Sequence, residues 1–462
     1  MPPFARRRRI AVRIVLLGIA CSAPLLAGEP LPPWLEASDV PIPSWTRSVS
    51  PIKPESAIYA EPGKLELRRG SAQPGARLPL FATRRAAGCL GRWFNVGPLA
   101  WMCSDVAELS PDEPISPPLG TRPWQALEGE QAGEDLVRPR RAGARPLPPL
   151  EPGSAGDDGL PYRYYFAGRD GAYGFANLAT ALDDAPDQDL EAGFAVAIME
   201  ERTAHGERWG RTRKGRWVAM RELVPARPNL FHGELVQGAA LDFTWVVYER
   251  ASVFATDKAD RPGGTRVRFE KVRVHEEKVG PRKELMLRVS AADEPPAWMR
   301  ARDLSRPRPS PPPPEVATAD ERWIDVDLAQ QTLVAYEGPH PRFATIVSTG
   351  KGPPGSELAT HPGTFRLWVK IFTTKMDNLD KDEVDRHYAI EDVPWVQFFD
   401  KAIAMHGAFW HRDFGHVHSH GCVNLAPLDA RWVFAFTGPH LPAGWTAVLP
   451  TRIEPGAVVR VR

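Results

Sequence analysis

Cysteine is scarce in this chain, with four residues in 462, at positions 21, 89, 103 and 422. Net charge is nearly absent as well, since 58 Lys and Arg face 57 Asp and Glu and leave a formal charge of +1. That balance gives no electrostatic case for a nucleic-acid partner or a strongly acidic one. Long uninterrupted helix-forming stretches are missing too. The 49 prolines run at roughly twice the usual ~5%, so linkers should be frequent and long helices should not dominate. The apolar run from Ile14 to Ala27 is interrupted at Pro24 and preceded by Arg13. A permanent membrane span is therefore the weaker reading of it.

Residues 1–27 read instead as an export signal, with Arg6 to Arg9 as the basic segment and cleavage after Ala27. Gly18-Ile-Ala-Cys21 also has the look of a lipobox, so a lipid anchor at Cys21 is the alternative to its removal. Export to the periplasm or cell envelope brings oxidising conditions. A disulfide between Cys89 and Cys103 is then expected, with two reduced core thiols as the alternative. Either way Cys422 is left unpaired.

The chain is rich in tryptophan (15 residues) and 43% hydrophobic, enough for several small β cores. Three segments end alike, in Trp101-Met-Cys-Ser-Asp-Val106, Trp217-Val-Ala-Met-Arg-Glu-Leu223 and Trp298-Met-Arg-Ala-Arg-Asp-Leu304, a self-similarity that points to three related units. Within the last, Arg266 to Val274 alternates with period two and predicts one half-buried strand, and Leu285 to Val289 a shorter one. The divisions that follow are a proline-rich linker at 28–55, β units at 56–112, 160–228 and 229–305, a disordered linker at 113–159, a proline-rich linker at 306–320, a C-terminal domain at 321–450 and a tail at 451–462. The three units resemble small SH3-like barrels. That resemblance implies binding of cell-wall glycan or peptide, against the plainer reading of spacers.

In the C-terminal domain, Trp323-Ile-Asp-Val-Asp-Leu328 and Thr332-Leu-Val-Ala-Tyr336 predict a hairpin. Leu428, Trp432 and Phe436 predict a helix entered at Pro427. The stretch Met405 to Leu425 gathers five of the twelve histidines around Cys422. A thiol attacks carbonyls as thiolate, and a neighbouring imidazole is a common base for it. A zinc reading would need His416, His418, His420 and Cys422 to converge, and a zinc-bound Cys422 would not serve as this nucleophile. Trp410 and His411 either line the pocket mouth or pack the hairpin. Trp395, Phe398 and Phe399 read as core. The acidic run Met376 to Asp392, with Asp377, Asp380, Asp382, Glu383 and Asp385, reads as a solvated insertion or lid over the site, with an ordinary surface loop as the equal alternative.

The hairpin, the Ser-Thr-Gly turn at Ser348 to Gly350, Thr360-His-Pro-Gly-Thr-Phe365, and His406 followed by Ser419-His-Gly-Cys-Val-Asn424 together resemble the YkuD-type L,D-transpeptidase catalytic domain. The resemblance implies a mainly β protein ending in a β-sandwich with one or two short helices. It implies Cys422 as nucleophile and His406 as proton donor and acceptor, with the Gly407 carbonyl orienting the imidazole. His420 and Gly421, with the Cys422 amide, would form the oxyanion turn, and Ser419 and Asn424 would brace it. The implied activity is cross-linking of peptidoglycan tetrapeptide stems through a cysteine acyl-enzyme, with acylation by carbapenem-type inhibitors. No cofactor or metal is implied. The same site would serve an L,D-carboxypeptidase or a cross-link-cleaving amidase, and a non-catalytic wall-binding protein is the remote third reading.

Overall fold

The computed structural model describes residues 40–114, 157–238, 240–377 and 388–462. The export signal with Cys21, most of the 113–159 linker, and Asp380, Asp382, Glu383 and Asp385 lie outside the described residues. The rest is mainly β. Its α-helices are Leu178–Leu182 and Pro427–Phe436, and no helix among the described residues is long and apolar enough to cross a membrane.

Two sheets sandwich the C-terminal core. One carries six strands in the order Glu234–Leu235, His340–Ile346, Thr332–Glu337, Arg322–Asp327, Val458–Val461, Gly363–Arg366. The predicted hairpin forms, with Asp327 opposite Thr332 and Trp323 opposite Tyr336. Its alternating acids do not face water, however. Asp325 and Asp327 are buried, and Arg460 and Arg462 reach them at 2.6–2.9 Å. The segment 451–462 is therefore no tail. Val458–Val461 pairs in parallel with Arg322–Asp327 and antiparallel with Gly363–Arg366, bringing two arginines to two buried acids. Between the sheets, Ile324, Leu333, Phe343 and Val459 meet Phe372, Trp395, Phe399 and Met405. Helix Pro427–Phe436 closes the core. Its Trp432 stacks on Phe343 at 4.3 Å and on Phe436 at 4.8 Å. Lys370, fully buried, donates to Phe434 O and Thr437 O at its C-terminal end (2.5 and 2.7 Å), where carbonyls lack helical partners.

The second sheet is where the sequence division into separate units gives way. It runs Trp217–Ala219, Glu207–Thr212, Ala195–Ala204, Ala389–Asp400, Val369–Asp377, Trp445–Val448, Arg68–Ala72, Ser56–Tyr59, Ala100–Cys103, Trp93–Gly97, Ala82–Arg84. The first and second units thus add their strands directly to the C-terminal domain, and the third supplies edge strand Glu234–Leu235 to the other sheet. Gly70 sits at the first junction because a Cβ there would lie 2.2 Å from Ala447 O. Each unit keeps an apolar cluster of its own, around Ile58 and Met102, Val196 and Val218, and Val253 and Met299. The repeated tryptophans, Trp101, Trp217 and Trp298, are all buried. In the second and third units a 3-10 turn, Met220–Glu222 or Ala301–Asp303, follows each of them into a last short strand.

The proline-rich linkers are also partly ordered. Ser48–Pro51, placed in the 28–55 linker by the sequence, is a strand between Leu78–Pro79 and Ala107–Ser110. In 306–320, Ser310 N–H donates to the Tyr336 hydroxyl at 3.0 Å and Arg460 to Pro311 O at 2.9 Å. That segment is strapped to the sheet. The single strand predicted over Arg266 to Val274 is broken, because Phe269 takes φ 68° and packs on Phe231 at 4.7 Å. Pro262–Val267 ends before it and Lys271–Val272 begins after it. The disulfide Cys89–Cys103 is formed.

Candidate active site

The site is built where two parallel strands, Ile403–Gly407 and Val423–Leu425, lie side by side with Met405 opposite Val423 and His406 opposite Asn424. Cys422 stands one residue before the second strand. His406 is buried, its Nδ1–H donates to Gly407 O at 3.2 Å, and its ring stacks on Trp410 at 5.7 Å. The carbonyl can only accept, so this bond fixes the tautomer and leaves Nε2 with its lone pair. Burial pulls the imidazole down to a pKa of about 4, against a smaller upward effect of the Gly407 bond. His406 is therefore neutral at neutral pH. Burial likewise pushes the Cys422 thiol up, a backbone hydrogen bond at Ala404 opposing it. The thiol's side-chain contact is with Ala402 O at 4.0 Å.

The turn before Cys422 is tied from several sides. Ser419 Oγ donates to Cys422 O and accepts from Gly421 N–H (3.2 Å). That second bond takes the Gly421 amide out of the expected set of oxyanion donors, while the Cys422 amide makes no hydrogen bond among the described residues. Gly421 has φ +123°, a conformation that disfavours any side chain. Its carbonyl accepts from the Thr360 hydroxyl at 2.6 Å, and Thr360 Oγ1 in turn accepts from Gly350 N–H at 2.9 Å. Gln331 then pins the Ser-Thr-Gly turn, donating to Thr349 Oγ1 at 2.7 Å and accepting from Thr349 N–H at 2.9 Å. Thr360 and Gln331 were legible only as turn residues. Their chemistry depends on which distant backbone they meet.

The remaining histidines separate rather than converge. His420 is exposed and stacks on Tyr388 at 5.8 Å. His416 donates to Val247 O in the third unit at 3.0 Å. The His416, His418, His420 and Cys422 set does not assemble. His411 is buried behind His406, and its pKa is held at about 3 by burial, with His418 and His406 as further causes. Asp413 N–H donates to His411 Nδ1 at 3.2 Å, so the neutral ring carries its proton on Nε2. The neighbour there, 2.9 Å away, is the Asn424 side-chain amide, which must turn its oxygen toward His411 to accept. Asn424 thus joins the nucleophile strand to His411 as well as to the Ser348 backbone (2.9 and 3.0 Å). Trp395 and Phe399 are core, while Phe398 lies at its margin against Trp368 at 5.4 Å.

Residues 321–460 match the family model of the L,D-transpeptidase catalytic domain, YkuD. No curated protein sequence matches the chain. Among solved structures, an Enterococcus faecium L,D-transpeptidase is 19% identical with a TM-score of 0.23, over 31% of this chain and 50% of its own. One from Stackebrandtia nassauensis is 25% identical with a TM-score of 0.22, over 31% and 57%. LD transpeptidase LdtMt1, in complex with imipenem, is 18% identical with a TM-score of 0.25, over 39% and 68%. The chain thus spans about half the length of the first of these. Residues 321–460 of this chain are a member of the YkuD family of L,D-transpeptidase catalytic domains.

Proposed function

We propose that the protein is a peptidoglycan L,D-transpeptidase acting outside the cytoplasm, with Cys422 as nucleophile and His406 as general base and acid. The observation that carries this reading is the His406 tautomer. A neutral, buried imidazole has Nδ1–H spent on Gly407 O, and pairs across a parallel ladder with Asn424, two residues past Cys422 on the adjoining strand. Nε2 takes the thiol proton as sulfur attacks the carbonyl joining the third (L-centre) and fourth (D-centre) residues of a tetrapeptide stem. The Cys422 amide is the oxyanion donor in this scheme. Collapse of the tetrahedral intermediate expels the fourth residue as its amine, which takes the proton back from Nε2, and leaves a thioester on Cys422. The side-chain amine of another stem's third residue then attacks the thioester, its proton passes to His406 Nε2, and the departing Cys422 sulfur takes that proton back as thiol. The disulfide Cys89–Cys103 supports an oxidising compartment. Carbapenems are expected to acylate the same sulfur, and the N-terminal units are proposed to hold wall glycan or peptide.

The test uses the full chain, since the units share sheets with the catalytic domain and a C-terminal half would expose their paired edges. Defined disaccharide-tetrapeptides are incubated with it and the products weighed by mass spectrometry. Cross-linked dimer, absent with Cys422→Ala, is the expected result. Shortened stems without dimer would transfer the assignment to an L,D-carboxypeptidase, cleavage of dimers to an amidase, and no turnover would end the enzymatic reading.

A further inference from the structure

His411, Asp413 and His418 each offer a donor atom, all within 4.8 Å of one another, on the loop that leads into the nucleophile turn. The two imidazole rings lie 4.2 Å apart. His418 Nδ1 is 3.3 Å from Asp413 Oδ2, while Asp413 Oδ1 is 3.5 Å from the Arg268 guanidinium of the third unit. We infer that these three side chains form a binding site for a divalent transition-metal ion of the zinc class, separate from Cys422 and independent of the peptidoglycan reading.

The chemistry of the donors fits that class. Two imidazole nitrogens and one carboxylate oxygen, with a fourth position for water, are a donor set that borderline ions such as Zn²⁺ take tetrahedrally. Metal–ligand bonds of about 2.0–2.2 Å in a tetrahedron set ligand atoms about 3.3–3.6 Å apart, so donors lying within 4.8 Å of one another need to close by at most about 1.5 Å. The outer partners are already placed. Metal-ligating imidazoles characteristically donate their other N–H to a fixed acceptor. With the Asn424 amide turned so that its oxygen faces His411 at 2.9 Å, Nε2–H has such an acceptor, and Nδ1, which accepts from Asp413 N–H, is the lone pair left for the ion. An ion there would displace the long Asp413 N–H bond. Arg268 holds Oδ1 and leaves Oδ2 on the side of His418, itself the position for an ion. His411 is buried and its two co-ligands reach solvent, with side chains 45% and 41% exposed, so the ion has access. Bound, it would clamp residues 411–418 to Asn424 and, through Arg268, to the third unit.

The test is a titration of untagged, metal-free full chain with Co²⁺ followed by visible absorption, and with Zn²⁺ by calorimetry. One ion per chain is expected, with ligand-field bands but no thiolate charge-transfer band, and with the same affinity in Cys422→Ala. His418→Ala keeps the backbone amide that bonds Thr349 O. It is expected to weaken binding by more than the roughly 10–100-fold that loss of an outer partner produces. Should that variant fail to fold by near-ultraviolet circular dichroism, Asp413→Asn carries the same expectation. No saturable binding, unchanged affinity in the folded ligand variant, or binding lost in Cys422→Ala would each overturn the site.

Discussion

Proton transfer from Cys422 to His406 is steeply uphill before substrate binds, and alkylation kinetics expose this directly. The thiol is held above its ordinary 9.0 and the imidazole at about 4. The gap of at least about 5 units corresponds to roughly 7 kcal/mol for an internal thiolate–imidazolium pair, before the attraction of the two charges is counted. Such a step fits within the ~17 kcal/mol barrier of a reaction turning over about once per second, provided the oxyanion donor offsets charge as it forms. The resting thiol is then less than about 1% thiolate at pH 7. Iodoacetamide alkylation of Cys422, read from its own tryptic peptide by mass spectrometry, should rise about tenfold per pH unit from pH 6 to 9, without a plateau. His406→Gln should leave the shape of that profile unaltered, because a neutral imidazole contributes no charge to the thiolate. An inflection below pH 7 that vanishes in His406→Gln would refute the reasoning and establish a preformed ion pair.

Three further outcomes follow from buried groups. Asp429, which accepts from Gly233 N–H at 2.8 Å and from Thr345 Oγ1, is pushed to about 7 by burial. The folded chain keeps that proton up to about pH 7 while the unfolded chain loses it near 3.8. The associated stability is complete below 3.8 and is lost as pH rises to about 7, by up to about 4 kcal/mol. Urea unfolding of Asp429→Asn should therefore gain on the parent chain progressively between pH 4 and 7.5, and equal gain at both ends would contradict the assignment. Lys370→Met should lose about 3 kcal/mol in the same assay, since two charge-assisted bonds at a helix end become unpaired carbonyls; a loss under 1 kcal/mol would show the charge to be dispensable. The Cys89→Ala, Cys103→Ala double variant opens a loop with a separation of 14 residues. It should destabilise the first unit by about 3 kcal/mol, read as earlier hydrogen exchange in Trp93–Cys103 than elsewhere.

What the sequence made legible is local. The hairpin at Trp323 to Tyr336, the helix entered at Pro427 and the Cys89–Cys103 pair each carry their signal in a few adjacent residues, and each forms. The strand read across Arg266 to Val274 failed because alternation says nothing of Phe269 turning inward onto Phe231. The final strand was invisible because Val458–Val461 is short. Its reason to pair is a charge match, Arg460 and Arg462 with Asp325 and Asp327, across more than 130 residues. Junctions between units leave even less trace, since strand edges join through backbone groups that every residue carries. At the site, Cys422 and His406 stood out by type and spacing. The roles of Thr360, Gln331 and the Asn424–His411 bond depend on partners distant in sequence, which no local pattern encodes.

The joining of Arg68–Ala72 to Trp445–Val448 has a consequence for the order in which the molecule can assemble. Arg69 donates to Leu449 O at 2.5 Å across 380 residues of chain. A sheet whose first and last contributors are that far apart has high contact order, and its closure waits on a large entropic loop. A nascent chain emerging from its N-terminus cannot complete the first unit's edge until nearly the whole polypeptide is present. Until then that edge offers unpaired N–H and C=O groups to any other strand. The last eighteen residues, which look expendable in a linear reading, include Trp445–Val448, the strand that ends this exposure. A nonsense truncation at Trp445, which removes that strand, should therefore aggregate through the N-terminal unit, far in sequence from the lesion.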